Sequence, residues 1–338
     1  PLIAPSRAAL GAWVGACALA TLLGLDPLSG LQVVAVMVLG AGFHLALVRW
    51  FDSAGIGENV LRAYLVCGAL AAAATLAMWA GRVPEALFAL NDGRATGPFV
   101  TADQCAAFLI AFCPLAAAAA VAARGSRRLL GALAAALGLA ALGATFSAAA
   151  LLGLGGGLAF VAWMQRLRFL AVGLALGALA LGLAVLVRPS AHHDPARNFE
   201  RLQLWATGLR VAQLMPLTGT GPMTYFRVYP AARPPDGPRP GTFGALHPHD
   251  AYLSLLDETG IVGIVAALYG WLRVGRALAA GARRVRGPRR VLFLGACAAL
   301  VAIGIQGIFD TIGVVTMTFV WIPFSALALA LARNPPES

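Results

Sequence analysis

The chain has 338 residues, of which 60% are hydrophobic and 12% are charged, and its mean hydropathy is +0.80. This composition excludes a soluble globular domain and indicates a protein that crosses a membrane several times. The formal net charge of +11 does not indicate a nucleic-acid-binding protein, because the arginines cluster mainly in short loops between apolar segments, where they set the membrane orientation.

Apolar runs of about 17 to 25 residues can each cross a bilayer as a helix, because lipid offers the backbone amides no hydrogen-bond partners. About ten such runs occur, so the sequence predicts an all-α, polytopic membrane protein. The approximate spans are 8–25, 30–48, 60–80, 103–123, 129–145, 147–164, 169–187, 251–271, 291–309 and 313–332.

The spans divide the chain into three consecutive segments. Residues 1–187 are predicted to form a bundle of about seven transmembrane helices, residues 188–250 a long helical loop, and residues 251–338 the C-terminal transmembrane helices. The arginine-rich short loops all lie on one side of the bundle, and such loops stay in the cytoplasm. Both termini are therefore predicted to be cytoplasmic, and the long loop is predicted to face the periplasm from a bacterial inner membrane.

The predicted periplasmic loop carries an excess of positive charge. Its seven arginines and four acidic residues give a net charge of +3, which favours an anionic ligand. Residues 198–215 are predicted to form an amphipathic helix that rests on the membrane surface. The apolar stripe of this helix comprises Phe199, Leu202, Trp205, Leu209 and Ala212.

The loop ends in His247, Pro248, His249 and Asp250, directly before a hydrophobic helix. A histidine exchanges a proton near neutral pH, so His249 is a candidate general base. Pro248 restricts the backbone between the two histidines, which favours a supporting role for His247. Asp250 is predicted to cap the helix that follows rather than to orient His249, because adjacent side chains rarely face one another.

The same loop also offers ligands for zinc, since four of the five histidines lie in it beside two aspartates. These residues are His192, His193, Asp194, His247, His249 and Asp250. Their spacing matches no familiar zinc motif, so no metal is expected. The five cysteines lie inside apolar runs without metal spacing and are predicted to be free, buried thiols.

Several short motifs resemble the signature region of the O-antigen ligase and polymerase family. The family's ligase motif is a histidine, a small polar residue, nine arbitrary residues and Gly-x-x-Gly, and the spacing from His249 to Gly260-Ile-Val-Gly263 fits it. The chain departs from the family pattern at Asp250, where asparagine, serine or glutamine is usual. It departs again at Ala148, because the family often has arginine after Thr-x-Ser. The other matching segments are Arg201-Leu-Gln-Leu-Trp205, Pro216-Leu-Thr-Gly219-Thr-Gly221, Phe226, His247-Pro-His249-Asp250-Ala-Tyr252-Leu and Gly97-Pro-Phe99 near Arg94.

The resemblance implies a GT-C-like helical membrane glycosyltransferase that moves a glycan from undecaprenyl pyrophosphate to an acceptor hydroxyl, which in ligases belongs to lipid A core. It implies His249 as the base and arginines as phosphate ligands, with Arg201 and Arg210 preferred over Arg197 and Arg227. Because this donor is already activated, no metal and no other cofactor is expected. The expected partners are the lipid-linked glycan, lipid A core and membrane lipids, with no nucleic acid.

Other interpretations stay open at this stage. Arg201 and Arg210 could instead contact anionic lipid headgroups. Glu258 is expected to pair with a buried arginine, because an ionisable group inside a membrane helix is costly, and Asp310 is expected to line the acceptor cavity or cap a helix. An O-antigen polymerase or a protein O-oligosaccharyltransferase would use the same donor. A polysaccharide or lipid transporter is a more distant alternative, since no internal repeat is visible in the sequence.

Overall fold

The computed structural model describes residues 3–51, 56–81, 93–187, 196–239, 246–310 and 314–332. Within these ranges the regular elements are α-helices, which confirms the predicted all-α fold. The helices are α1 (Ile3–Leu23), α2 (Pro27–Trp50), α3 (Ile56–Trp79), α4 (Ala102–Ala122), α5 (Gly125–Ala144), α6 (Ala148–Met164), α7 (Arg168–Val187), α8 (Ala196–Leu214), α9 (Tyr225–Ala232), α10 (Ala251–Ala282), α11 (Gly287–Gln306) and α12 (Val314–Leu331).

Seven of the described helices, α1 to α5 with α10 and α11, are long and apolar enough to cross a membrane. Three shorter apolar segments, Ala148–Met164, Arg168–Ala184 and Ile322–Leu331, coincide with the remaining predicted spans. The other two helices, α8 and α9, belong to the long loop. The chain is therefore a polytopic helical membrane protein, as its composition predicts.

The chain forms two compact units, each assembled from segments that are distant in the sequence. Unit 1 combines Pro1–Ala46, Ala196–Ala279 and Gly307–Phe319. Unit 2 combines Leu47–Pro195, Ala280–Gln306 and Val320–Ser338. The three consecutive segments inferred from the sequence describe the order along the chain and stay a prediction.

Unit 2 is built around α4, which is buried along most of its length. Small residues let its helices approach closely: a Cβ added to Gly153 or Gly157 of α6 would lie 2.5 Å or 2.6 Å from a backbone carbonyl oxygen of α11. All five cysteines of the chain are free, as predicted. Four of them are buried, whereas Cys67 on α3 is exposed, which corrects the expectation that every thiol is buried.

In unit 1, α10 consists of two helical segments that meet at Gly260. This residue has φ 62° and ψ −163°, a backbone conformation that is essentially restricted to glycine. The predicted span over residues 251–271 lies within this helix, which is long and apolar enough to cross a membrane, but the sequence did not predict the break at Gly260. Hydropathy records the apolar length of a segment and carries no information on its backbone angles.

Residues 216–221 satisfy both helix ends at the break. The amides of Ile261 and Val262 begin the second segment and donate to carbonyls of this loop at 2.9 Å and 3.0 Å. In return, the amides of Thr220 and Gly221 donate to carbonyls at the end of the first segment, at 2.9 Å and 3.0 Å. The loop thus supplies partners for backbone groups that a helix end leaves unsatisfied.

Candidate active site

The start of α10 is fixed by Asp250. Its Oδ1 accepts hydrogen bonds from the amides of Tyr252 at 2.8 Å and Leu253 at 2.9 Å. This geometry confirms the predicted N-cap, because a capping carboxylate accepts from the free amides of the first turn. The carboxylate of Asp250 is thereby engaged by the helix end.

Asp310 lies in the turn that follows α11, and its side chain extends to the start of α10. The amide of Ala251 donates to the carbonyl of Gly307 at 2.7 Å, which ties this turn to the start of α10. Oδ1 of Asp310 then lies 3.1 Å from Nδ1 of His249. The side chains of His249 and Asp310 are 18% and 9% exposed, so the pair is largely removed from water.

This contact gives the imidazole of His249 a defined orientation and tautomer. In its neutral form, His249 donates Nδ1–H to the carboxylate of Asp310, and the free lone pair is then on Nε2. When Nε2 takes up a proton, the adjacent negative charge stabilises the imidazolium. The pair is therefore suited to accept a proton from a substrate hydroxyl.

Sequence reasoning missed the contact of Asp310 with His249. The two residues are 61 positions apart, and no local pattern connects them. The available signal was an acidic residue near the outer end of a predicted span, in a chain with only 14 acidic residues. Such a residue in a membrane protein is a functional candidate by default.

The backbone of His249 is held in the left-handed region, with φ 54°, which is uncommon for a residue other than glycine. Its amide donates to Nδ1 of His247 at 3.3 Å, and the two ring centroids are 4.3 Å apart. Its carbonyl accepts a long hydrogen bond of 3.5 Å from Nε1 of Trp205. These contacts stabilise the turn that presents the His249 ring.

His247 is neutral at physiological pH. Burial lowers the pKa of its imidazole to about 4, the nearby His249 acts in the same direction, and Asp310 opposes the shift. A neutral imidazole has one nitrogen lone pair, which in His247 is used on Nδ1 to accept the His249 amide. This arrangement is in keeping with the predicted supporting role.

Arg201 lies on the face of α8 that packs against the histidine segment. Trp205 and Gly208 follow at the next two turns of the same face. A Cβ added to Gly208 would lie 3.3 Å from Cβ of Pro248. Within the described ranges Arg201 forms no ion pair, and its role as a phosphate ligand stays a prediction.

The other candidate arginines are placed differently. Arg210 is exposed, and its Nη1 donates to the carbonyl of Ala232 in α9 at 3.2 Å, so its role as a phosphate ligand stays a prediction. Arg227 forms an ion pair with Oδ2 of Asp26 at 2.6 Å, which neutralises its charge. The side chain of Arg197 lies outside the described residues, although its backbone belongs to the first turn of α8.

Among the described residues Glu258 forms no ion pair with an arginine, and its expected arginine partner stays a prediction. The backbone of residues 219–221 packs against the end of the first α10 segment beside it. The neighbouring Asp257 is fully buried, and among the described residues neither of its carboxylate oxygens has a hydrogen-bond partner. Sequence reasoning did not single it out.

A separate polar cluster lies in unit 2. Arg94 pairs with Asp103 at 2.6 Å, and its Nε donates to the carbonyl of Thr145 at 2.7 Å. The hydroxyl of Ser147 donates to Oδ1 of Asp103 at 2.8 Å. An arginine from a distant part of the chain thus contacts the Thr-x-Ser segment that continues with Ala148, and Asp103 neutralises its charge.

The fold and the site define a class: a polytopic helical membrane protein with a histidine–aspartate pair at the start of a broken membrane helix. Residues 133–268 match the sequence profile of the family described as O-antigen ligase, and this match confirms the family resemblance. The matched segment includes His249 and Gly260, whereas Asp310 lies beyond it. No curated protein matches the chain. The family supports an enzymatic role in glycosyl transfer of the ligase or polymerase type, with a lipid-linked glycan donor.

Proposed function

We propose that this protein is an O-antigen ligase that transfers a glycan from undecaprenyl pyrophosphate to a sugar hydroxyl of lipid A core on the periplasmic face of the inner membrane. The observation that carries the proposal is the contact between His249 and Asp310, because it supplies an oriented base inside the family's ligase motif.

His249 removes the proton of the acceptor hydroxyl as the oxygen attacks the anomeric carbon. The new bond joins this oxygen to the sugar, and the bond from the sugar to pyrophosphate breaks with its electron pair on the leaving lipid. The proton goes to Nε2 of His249, and Asp310 stabilises the resulting imidazolium. A base of this kind contributes roughly 10²- to 10⁴-fold to the rate. Direct attack inverts the anomeric configuration.

Arg201 holds the pyrophosphate of the donor. A guanidinium matches two phosphate oxygens at once, and Arg201 shares a helix face with Trp205, whose indole contacts the backbone of His249. The donor carries its own leaving group, so the transfer needs neither a nucleotide nor a metal ion.

The exposed face of α8 fits a position at the membrane surface, where both lipid substrates arrive. Phe199, Leu202 and Leu209 are exposed apolar residues on this helix, as the predicted stripe requires. The stripe is narrower than predicted, because Trp205 turns towards the histidine segment and Ala212 is buried.

Transfer by the purified full chain in lipid nanodiscs tests this proposal. The protein is incubated with an undecaprenyl-pyrophosphate glycan and lipid A core, and the products are separated by lipid anchor. We expect the glycan to appear on lipid A core without added metal. Growth of the glycan on its own lipid carrier, with no lipid A product, would contradict the ligase assignment and indicate a polymerase.

A further inference from the structure

Three potential metal ligands converge at the start of α10. His247, His249 and Asp310 each offer one ligand atom, and these atoms lie within 4.8 Å of one another. Because a neutral imidazole has one lone pair, binding of a metal by His247 gives up the long 3.3 Å hydrogen bond that its Nδ1 accepts from the amide of His249. Two imidazoles and one carboxylate form a donor set that zinc uses in sites with an open coordination position. Magnesium and calcium, by contrast, prefer oxygen ligands.

The distances suit one ion of the size of zinc. Bonds of about 2.0–2.2 Å in a tetrahedral arrangement separate neighbouring ligand atoms by about 3.3 Å. Nδ1 of His249 and Oδ1 of Asp310 are 3.1 Å apart, which is close to this separation. All three ligand atoms lie within 4.8 Å of one another, so the ligand atom of His247 must approach by at most about 1.5 Å when an ion binds. Asp250 does not belong to this converging group, and its Oδ1 caps α10, so water or a substrate oxygen takes the fourth position.

We propose that His247, His249 and Asp310 bind one zinc ion, and that the bound ion inhibits glycosyl transfer. Zinc inhibits the transfer whichever nitrogen of His249 it binds. A zinc ion on Nδ1 moves the ring proton to Nε2, and a zinc ion on Nε2 occupies its lone pair. In both cases the imidazole can no longer accept the proton of the acceptor hydroxyl. The inhibition rests on the proposed function, whereas the binding of zinc does not.

Cobalt(II) is the first probe, because its visible absorption intensifies in a four-coordinate site. Titration of the metal-free full chain in nanodiscs should show one cobalt ion per chain, which zinc then displaces. Since the loss of even an outer partner of a ligand weakens metal binding 10–100-fold, His247→Gln and Asp310→Asn should each weaken it at least about tenfold. A His192→Gln/His193→Gln double variant is the control and should bind as the wild type does.

Two results would overturn the metal site: no four-coordinate cobalt spectrum in the wild type, or equal affinity in the wild type and in folded His247→Gln and Asp310→Asn variants. Loss of binding in the His192→Gln/His193→Gln control would assign the ion to another site and equally contradict the proposal. In the transfer assay, zinc should abolish product formation and a chelator should restore it. Transfer that continues with zinc bound would overturn the inhibition. A chain that binds cobalt as described but transfers no glycan would contradict the proposed function and leave the metal site standing.

Discussion

At the level of single residues, three different parts of the protein hold His249. Its side chain contacts Asp310, its amide contacts the ring of His247, and its carbonyl contacts the indole of Trp205. These three partners come from the turn after α11, from the loop itself and from α8. A base held from several directions loses little orientational freedom when the substrate binds, which favours catalysis.

Asp310→Asn tests whether the carboxylate acts through His249. The asparagine side chain carries no negative charge and stabilises the imidazolium less than the carboxylate does. We therefore expect kcat to fall by roughly 10- to 1,000-fold, which is no larger than the loss expected when the base itself is removed. KM for the acceptor should stay near the wild-type value if Asp310 acts through its contact with His249. Steady-state kinetics measure both constants. An increase in KM at unchanged kcat would instead place Asp310 in the acceptor site, as the sequence first suggested.

Arg201 and Arg210 form a matched pair of tests on one helix. Hydrogen bonds to a charged partner contribute about 1.5–3 kcal/mol, so Arg201→Ala should lower kcat/KM for the donor about 10- to 100-fold. Arg201→Lys should retain part of this activity, because lysine keeps the positive charge but cannot bind two phosphate oxygens at once as a guanidinium does. Arg210→Ala should lower donor use less than Arg201→Ala, because one amino group of Arg210 is engaged by the α9 backbone. Equal losses of kcat/KM in the Arg201→Ala and Arg210→Ala variants would contradict a specific role of Arg201 in binding the pyrophosphate.

At the scale of elements, local packing explains both glycines of Gly-x-x-Gly in α10. Gly260 adopts a conformation that other residues avoid, and a Cβ there would lie 2.4 Å from the carbonyl oxygen of Leu217. Gly263 leaves room for Thr259, whose hydroxyl a Cβ would otherwise meet. Gly260 thus lies against the loop that fills the break, whereas Gly263 accommodates the side chain of Thr259 in the same helix.

Gly260→Ala should destabilise unit 1. The substitution places a side chain in a strained backbone region at a cost of about 1–3 kcal/mol, and it also forces the loop backbone to move. Thermal unfolding in detergent should show a midpoint several degrees below that of the wild type. Gly275→Ala is the control in the same helix, because no atom lies within 4 Å of its added Cβ. Similar midpoints for the two variants would show that the break is not required.

The helices could be predicted from the sequence, and most of the contacts between them could not. Hydropathy located the span near residues 291–309 because burial in lipid is a local property of the chain. The cap at Asp250 was also predictable, since its partners are two and three residues away. The contacts of Asp310 with His249 and of Arg227 with Asp26 join segments that are distant in the sequence. The periodic pattern of apolar residues therefore cannot predict them.

At the scale of the whole molecule, the arginine distribution predicts the orientation. An alkaline phosphatase fused within residues 234–238 should be active, because this enzyme folds only outside the cytoplasm. A green fluorescent protein fused within residues 283–286 should fluoresce, because this loop is predicted to be cytoplasmic. The reciprocal fusions are the controls. The opposite pattern would place His249 on the cytoplasmic side and contradict transfer in the periplasm.

The most direct test of the account is glycan transfer by purified His249→Ala, compared with the wild type at equal amounts of folded protein. We expect product formation to fall by roughly 10²- to 10⁴-fold, because the acceptor hydroxyl loses its base. Donor binding should be retained, since Arg201 is unchanged. A His249→Ala variant that transfers glycan to lipid A core at close to the wild-type rate would show that His249 is not the base.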